Sequence, residues 1–558
     1  MPRSIRSQEV ESSASISAQE NSATEMQPLA GIKLYSILIG VSIASFLIAM
    51  DASVIATAIP SITSRFHAST DIGWYGAAYP LTMCSLQPLS GKIATIFSLK
   101  WTYQISFVIF LFGSLLCGVA TSSKMFIIGR AVAGIGGAGV VSGGLSVIAI
   151  VTPSEKRALF MGFLTSLYVL GTIIAPIIGG ALTESVSWRW CFFINLPTGA
   201  VTIGSLLLFF NPPRKSDARK LSMREKILQL DLIGCGLFIA SIIMVLLALE
   251  WGGNQYPWSS PTVIGLFVGF GGGILGFGIW EFRKGDQAMI PFSVFRQRSL
   301  LFSVLFGFLL LGSYVIPAYY LPEWFQVVKG ANPMHSGIMM LPLVVSQILG
   351  SIVSGVLATR VGYYNPWFFL GSASLCVGAG LYTTFSAFST TPAQWVSFEV
   401  VQGFGCGFAG QMPLLMAQAV LKHSPNQVPL GISLVLFAQY FGSSIMQSIG
   451  GAIFQNKLVE ELTYSVGLNL TQVDKLLQGG NSRVRETTAE NFPQLLHAVL
   501  AAYNGAITKV FLLSVIGASL AFVLSSGIEW INIRDVPERK QPENQLTRDT
   551  PPVDAKNT

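Results

Sequence analysis

Three ionisable residues stand inside otherwise apolar runs of this 558-residue chain: Asp51, Arg130 and Glu399. An ionised group in hydrocarbon costs a few kcal/mol, so such residues are functional candidates by default. Each lies about seven residues from the outer end of its predicted helix, which at 1.5 Å per residue puts all three roughly 10 Å below the boundary. Equal depth on separate helices predicts a common cavity. Arg130 keeps its proton, so its part is to hold or tune a carboxylate. A carboxylate beside an arginine stays ionised and structural, whereas one in a drier pocket can carry a proton. Asp231, Glu250, Glu281 and Glu529 fall at helix ends and read as boundary residues. The four histidines sit in or beside loops, and the six cysteines show no CxxC or Cys/His spacing, so neither a metal site nor a cofactor is expected.

The elements that must position these groups follow from composition. Charged residues make up 11% of the chain and mean hydropathy is +0.58, against about 25% charge in a soluble globular protein. The charges are also unevenly placed. Residues 1–35, 212–231, 282–298, 456–509 and 531–558 hold 41 of the 61 charges. The remaining 404 residues are too apolar to be kept soluble by their own surface. Disorder, a secreted mini-protein and an ordinary cytosolic enzyme are excluded, and the formal charge of +7 forms no stripe suited to nucleic acid. A membrane-embedded enzyme would call for His/Asp/Ser or metal-ligand constellations within the apolar runs, and the sequence has none.

A helix needs about 20 apolar residues to cross a bilayer. The runs predict an all-α polytopic membrane protein with fourteen spans: 35–58, 72–92, 101–121, 123–147, 157–181, 190–211, 231–250, 261–281, 299–321, 335–358, 366–387, 392–420, 429–452 and 508–530. The polar first 30 residues lack an apolar core of the signal-peptide kind, so the first span is expected to direct insertion. With both termini cytoplasmic, 24 Lys and Arg fall inside and nine outside, Arg130 being within a span. The single N-x-[ST] triplet, at Asn469, then lies in an outer connection, where glycosylation occurs. Residues 493–505 of that connection are apolar enough for a short interfacial helix.

Glycine clusters inside spans mark close or sliding helix contacts. They occur at Gly134–Gly139, at Gly171 through Pro176 to Gly179 and Gly180, and at Gly403, Gly405, Gly407 and Gly410. Tyr314, Tyr319 and Tyr320 offer either packing or a pocket for a flat organic ligand.

These motifs resemble the major facilitator superfamily, in particular its fourteen-span drug:proton antiporter branch as found in fungi. Asp51 through Pro60 is similar to that branch's acidic first-span motif. Arg130 followed by Gly134, Gly136 and Gly137 resembles its fourth-span motif, and Gly171, Pro176, Gly179 and Gly180 its antiporter motif. Trp188-Arg189-Trp190 leading to Asn195 and Pro197 is the most specific match. The 2–3 loop starts at Gly91 and departs from the family's pattern at Thr95, Ile96 and Ser98, which leaves Lys92 and Lys100 as its bases. Ala175 replaces a usual glycine.

The resemblance implies two six-helix bundles, 35–211 and 299–530, around a central cavity. Residues 212–298 carry the inserted spans 7 and 8 between cytoplasmic loops, 453–507 is an extracellular loop, and 1–34 and 531–558 are cytoplasmic tails, the first disordered. It further implies proton-driven efflux of a small amphipathic compound such as a toxin, secondary metabolite or drug. The protein would act as a monomer in the plasma membrane or a vacuolar membrane. Uptake of an iron chelate or nutrient is the alternative on the same fold. Asp51 is then the leading proton site, Arg130 its partner, Glu399 a second site or substrate contact, and the span-5 glycines with Pro176 a flexible contact between bundles.

Overall fold

The computed structural model describes residues 31–68, 71–211, 222–253, 255–422, 424–469, 471–473, 476 and 484–532. Nearly all of the tails and the basic segment 212–221 lie outside the described residues. Hydrocarbon offers the backbone no hydrogen-bond partners, so apolar stretches of this length satisfy themselves as helices. They are α1 (Ile32–Phe66), α2 (Ile72–Ile96), α3 (Leu99–Gly118), α4 (Ser123–Val151), α5 (Ser154–Ser185), α6 (Asn195–Phe209), α7 (Leu232–Trp251), α8 (Pro261–Lys284), α9 (Arg298–Val327), α10 (Leu341–Val361), α11 (Asn365–Tyr382), α12 (Pro392–Ala409), α13 (Met412–Val420), α14 (Val428–Tyr464) and α15 (Leu496–Ser525). No β-strand occurs among the described residues. Polar caps mark several starts: Ser122 accepts from the Met125 amide, Ser260 precedes Pro261 at α8, and Thr391 with Gln394 forms a capping box before Pro392.

Among the described residues, eleven helical stretches are long and apolar enough to cross a membrane, so this is a multi-span membrane protein. The expected spans 72–92, 366–387 and 392–420 fall on α2, α11 and α12–α13, which are less apolar. Their polar side chains turn inward: Gln87, Lys92, Glu399 and Gln402 are all buried.

Two expected boundaries are corrected. The helix α1 continues to Phe66, so Asp51 lies fifteen residues from its end and not seven. The expected interfacial helix at 493–505 is instead, from Leu496 on, the beginning of α15. Val499, Leu500, Tyr503 and Ile507 form one buried face in phase with the rest of α15 and pack with Phe454, Leu458 and Leu462 of the extended α14. The outer connection expected over 453–507 therefore shortens at both ends.

The helices α1–α6 pack among themselves, as do α9–α15, while α7 and α8 pack on each other and α7 also packs against α2 and α14. The two bundles meet along α5–α10 and α2–α14. These seams lie near the end where α2 finishes and α5 and α14 begin, the end expected to face the cytoplasm. Small residues make them possible. A side chain at Gly162 would sit 2.6 Å from the Ser351 carbonyl oxygen, and one at Gly355 would sit 2.7 Å from that of Ala158. Gly91 is pressed against Ser433 and the Pro429 carbonyl.

If this seam closes one end of the transporter, Gly162→Val must part it. A cysteine placed at the buried Ser354, in a cysteine-free background, should then gain labelling by a water-soluble maleimide several-fold. Unchanged labelling would show that the α5–α10 contact is not the seal.

Candidate functional site

Burial decides the state of the first two charged groups. Asp51 on α1 and Arg130 on α4 are fully buried and joined by a 2.5 Å ion pair from Arg130 Nη1 to Asp51 Oδ2. The other carboxylate oxygen accepts from Asn195 Nδ2 at 3.0 Å and from the Ser114 hydroxyl at 3.4 Å. Asn195 also donates to Ser114, at 3.2 Å. The Arg130 guanidinium lies over the Tyr79 ring, 4.6 Å from its centroid. Four helices, α1, α3, α4 and α6, thus supply one compensated charge cluster. Tyr79, Ser114 and Asn195 were not singled out from sequence as members of this site. Asn195 carried a signal, since it sits in the tryptophan motif, whereas Ser114 is indistinguishable there from any serine in a span.

Glu399 does not join this cluster. It sits on α12 in the second bundle, fully buried, and neither of its oxygens has a hydrogen-bond partner. The Leu343 backbone amide of α10 comes near it without completing a bond. Tyr314 of α9 and Tyr382 of α11 are close enough to feel its charge. Tyr314 donates to Gln347 Oε1 at 2.6 Å, while the Tyr382 hydroxyl and both amide atoms of Gln402 have no partner. The expected shared cavity for Asp51, Arg130 and Glu399 is therefore corrected to two separate sites, one per bundle. Nor do the three tyrosines of α9 form one pocket: Tyr320 is buried against Phe454, and Tyr319 is largely exposed.

The two sites occupy matching places. Arg130-Ala-Val-Ala-Gly134-Ile-Gly136 on α4 lines up with Glu399-Val-Val-Gln-Gly403-Phe-Gly405 on α12. The packing obeys the same register. Gly134 fits against Tyr79 and Thr82 of α2, and Gly403 against Leu343 and Ser346 of α10; Gly136 fits against Ser106 and Phe110 of α3, and Gly405 against Gly371 and Leu375 of α11. Gly171 of α5 meets the Phe46 carbonyl on α1, and Gly442 of α14 meets that of Phe308 on α9. This register pairs Asp51 with the Ser313-Tyr314 step of α9. The second bundle therefore carries an acid where the first has its arginine, and no base opposite it.

A model of the Major Facilitator Superfamily matches residues 41–447. The chain belongs to the major facilitator superfamily. It is 45% identical over 554 residues, 97% of each chain, to the MFS-type transporter poxA of Penicillium oxalicum. It is 38% identical to the efflux pump aflT of Aspergillus parasiticus, over 92% of this chain and 99% of that one. Among solved structures, a proton:xylose symporter of the superfamily shares the fold, with a TM-score of 0.54 at 14% identity, covering 90% of this chain and 97% of that one. The protein is therefore a membrane transporter of this superfamily.

The remaining expected residues of this superfamily member divide by location. Gly171 and Gly179 pack against Phe46, Ala49, Val54 and Thr57 of α1, within the first bundle. Pro176 is exposed and Gly180 has open space beside it. The contact between bundles expected of them is instead made lower on α5, by Ala158, Gly162 and Ser166, whose hydroxyl reaches the Ile348 carbonyl at 3.4 Å. Lys92 is buried and donates to the Ala288 carbonyl at 2.7 Å, beside Asp231 and Glu281. These two acids are not free boundary residues, because they accept from the Met289 and Ile290 amides and so hold the segment after α8 against α7 and α8, while Lys92 ties it to α2. Lys100 ties down the end of α6 through the Leu207 carbonyl and Asn211. Asn469 is exposed and caps a helical turn through Gln472.

Removing one partner of a buried ion pair typically costs about 3–5 kcal/mol. Asp51→Asn or Arg130→Gln alone should therefore lower thermal stability in detergent sharply, and the double variant should recover part of the loss. A melting curve for Asp51→Asn that overlies the parent's would show the pair to be uncoupled from folding.

Proposed function

We propose that this protein is a proton-coupled exporter of small amphipathic organic compounds, with Glu399 as the group that exchanges the proton. The observation that carries this reading is the contrast between the two carboxylates. Asp51 is held by a guanidinium, an amide and a hydroxyl, so its charge is compensated in the resting protein. Glu399 is equally buried and has no cation and no completed hydrogen bond, only the nearby Leu343 amide, to offset its desolvation, which favours the neutral acid there. Opening the second bundle to water would let it release the proton, and closing it would require one back. That coupling of protonation to access is what a secondary transporter needs in order to draw on a proton gradient. Efflux is the direction supported by the names of the relatives.

In this reading the chain crosses the bilayer fourteen times with both ends in the cytoplasm, as a monomer in the plasma membrane, with α7 and α8 an added pair. The Asp51–Arg130 cluster fixes the geometry of the first bundle, so the bundles rock about a rigid half and a titrating half. Gly91 and Lys92 act where α2 meets α14 and the segment after α8. The resting contacts at the Gly162 and Gly355 end correspond to a state closed toward the cytoplasm.

Glu399→Gln should abolish pH-driven export in proteoliposomes, by at least about tenfold, while leaving substrate exchange without a gradient close to that of the parent. An exporter in which Glu399→Gln pumps normally would overturn the assignment, and accumulation of substrate in cells expressing the parent would favour uptake. The orientation has its own check. The parent should shift on endoglycosidase treatment, and Asn469→Gln should already migrate at the shifted position; a parent insensitive to the enzyme when expressed in a fungal host would remove that support for an outer 14–15 connection.

A further inference from the structure

One peptide group at the seam end of the molecule is gripped by full charges at both of its poles. The Ala288 carbonyl accepts from Lys92 Nζ at 2.7 Å. The Met289 amide of that same peptide donates to Glu281 Oε1 at 3.1 Å and to Asp231 Oδ2 at 3.3 Å. The next amide, that of Ile290, donates to Glu281 Oε2 at 2.9 Å. Ammonium, peptide and carboxylates thus form one relay, in which each member polarises the next. Lys92, Asp231 and residues 288–290 are all buried and Glu281 is half-buried, so little water competes with the grip.

The backbone at Asp231 is shaped for this contact. Asp231 caps α7 in the left-handed region, at φ 51°, which a residue other than glycine holds only where its surroundings dictate it. Its Oδ1 accepts from the Gly234 amide and, at 2.8 Å, from Trp280 Nε1 of α8, which leaves Oδ2 to the Met289 amide. A side chain at Gly234 would collide with that carboxylate.

The gripped segment touches both bundles. Lys92 lies near the end of α2, and its neighbour Gly91 is pressed against Ser433 of α14. Beyond Ile290 the chain runs through Pro291 and a four-residue helix, Phe292–Phe295, into α9, the first helix of the second bundle. Residues 91–100 hold two lysines and no acid, so the α2–α3 turn has no carboxylate of its own to offer Lys92. The acids come from α7 and α8 instead, and α7 packs against both α2 and α14.

We propose that Asp231 and Glu281 are positioning residues of the transport cycle. Acting through the Ala288–Met289 peptide, they hold Lys92, and with it the end of α2, against α14. The inserted pair α7–α8 thereby steadies the state that is closed at the seam end. The proposal rests on the reading of those seams as the cytoplasmic seal, and gives the inserted pair its part in it. Opening that end to admit cargo requires the grip to be released. Neutralising either acid weakens the acceptors of the 289 and 290 amides and leaves the Ala288 carbonyl less polarised. Lys92 is then held less firmly, and α2 leaves α14 more often.

The test is labelling by a water-soluble maleimide of the full chain in lipid nanodiscs, without substrate or gradient, in a cysteine-free background carrying Ser433→Cys. Ser433 is fully buried against Gly91, so its labelling rate reports how often the α2–α14 seam parts. Asp231→Asn and Glu281→Gln remove charge while keeping shape, and asparagine tolerates the left-handed backbone. Each of them, and Lys92→Gln, should raise the rate several-fold. Because all act through one peptide group, Lys92→Gln with Glu281→Gln should label no faster than the faster single variant, whereas independent defects would multiply. A second reporter, Ser372→Cys in the buried interior of the second bundle, should stay at the parent's rate. Multiplying effects, or a rise at both reporters, would reduce these residues to a general structural role and overturn the proposal. Gly162→Val parts the companion seam without touching the grip. If it labels Ser433→Cys and the charge variants do not, the inserted pair has no hold on α2 and the proposal falls while the seal stands. If Gly162→Val is silent too, the seal reading falls and takes the proposal with it. No gradient is used, so the Glu399 assignment is untouched by either result.

Discussion

Uncompensated charge is the most expensive thing a membrane protein can bury, and the arrangement of this transporter follows from where that cost is met. In the first bundle it is met by an ion pair. Asp51 and Arg130 bond at 2.5 Å, and Asn195 and Ser114 complete the carboxylate's shell. Such a cluster needs four helices in fixed register, and glycines at 113, 134 and 136 let α2, α3 and α4 come close enough to supply it. In the second bundle the same register is kept, but the acid on α12 has no base facing it. One half thereby holds a paired acid and the other a buried acid without a hydrogen-bond partner.

The glycine clusters acquire a different meaning in this light. Within bundles they set the distance between helices that carry the charged and polar groups, and a side chain there would meet backbone atoms. Between bundles only a few small residues matter, chiefly Gly91, Gly162 and Gly355, and these stand at one end of the molecule. On the proposed reading, motion between bundles pivots on a short seam while each bundle keeps its interior. This division explains why the antiporter-motif glycines, Gly171 and Gly179, face α1: they maintain the shape of the half that must not deform.

Much of this was legible in the residues and some was not. Apolar run length located the helices, because hydrocarbon leaves the backbone little choice, and single charges within those runs marked Asp51, Arg130 and Glu399. Depth alone could not tell which of the three meet, since it fixes position along a helix and not the partner it packs on. The end of α1 was misplaced because Pro60 reads as a stop, whereas the helix passes through it to Phe66. The start of α15 was misplaced because Val499, Leu500 and Tyr503 look the same whether they face a bilayer surface or α14. The repeat between Arg130–Gly136 and Glu399–Gly405 was present in the sequence throughout. It went unread because glycine spacing alone is common in spans, and only the matching contacts on α2–α3 and α10–α11 give it weight.

The repeat also bears on how the two halves differ. The duplication sets Arg130 against Glu399 and Asp51 against the Ser313-Tyr314 step, so the glycine packing is kept while the charges are not. On the proposed reading that divergence is what a proton-driven pump needs. Both halves must keep the same helix packing to move as units, and only the coupling half can carry a buried acid without a partner, because a paired acid has no need of the proton that the cycle must move.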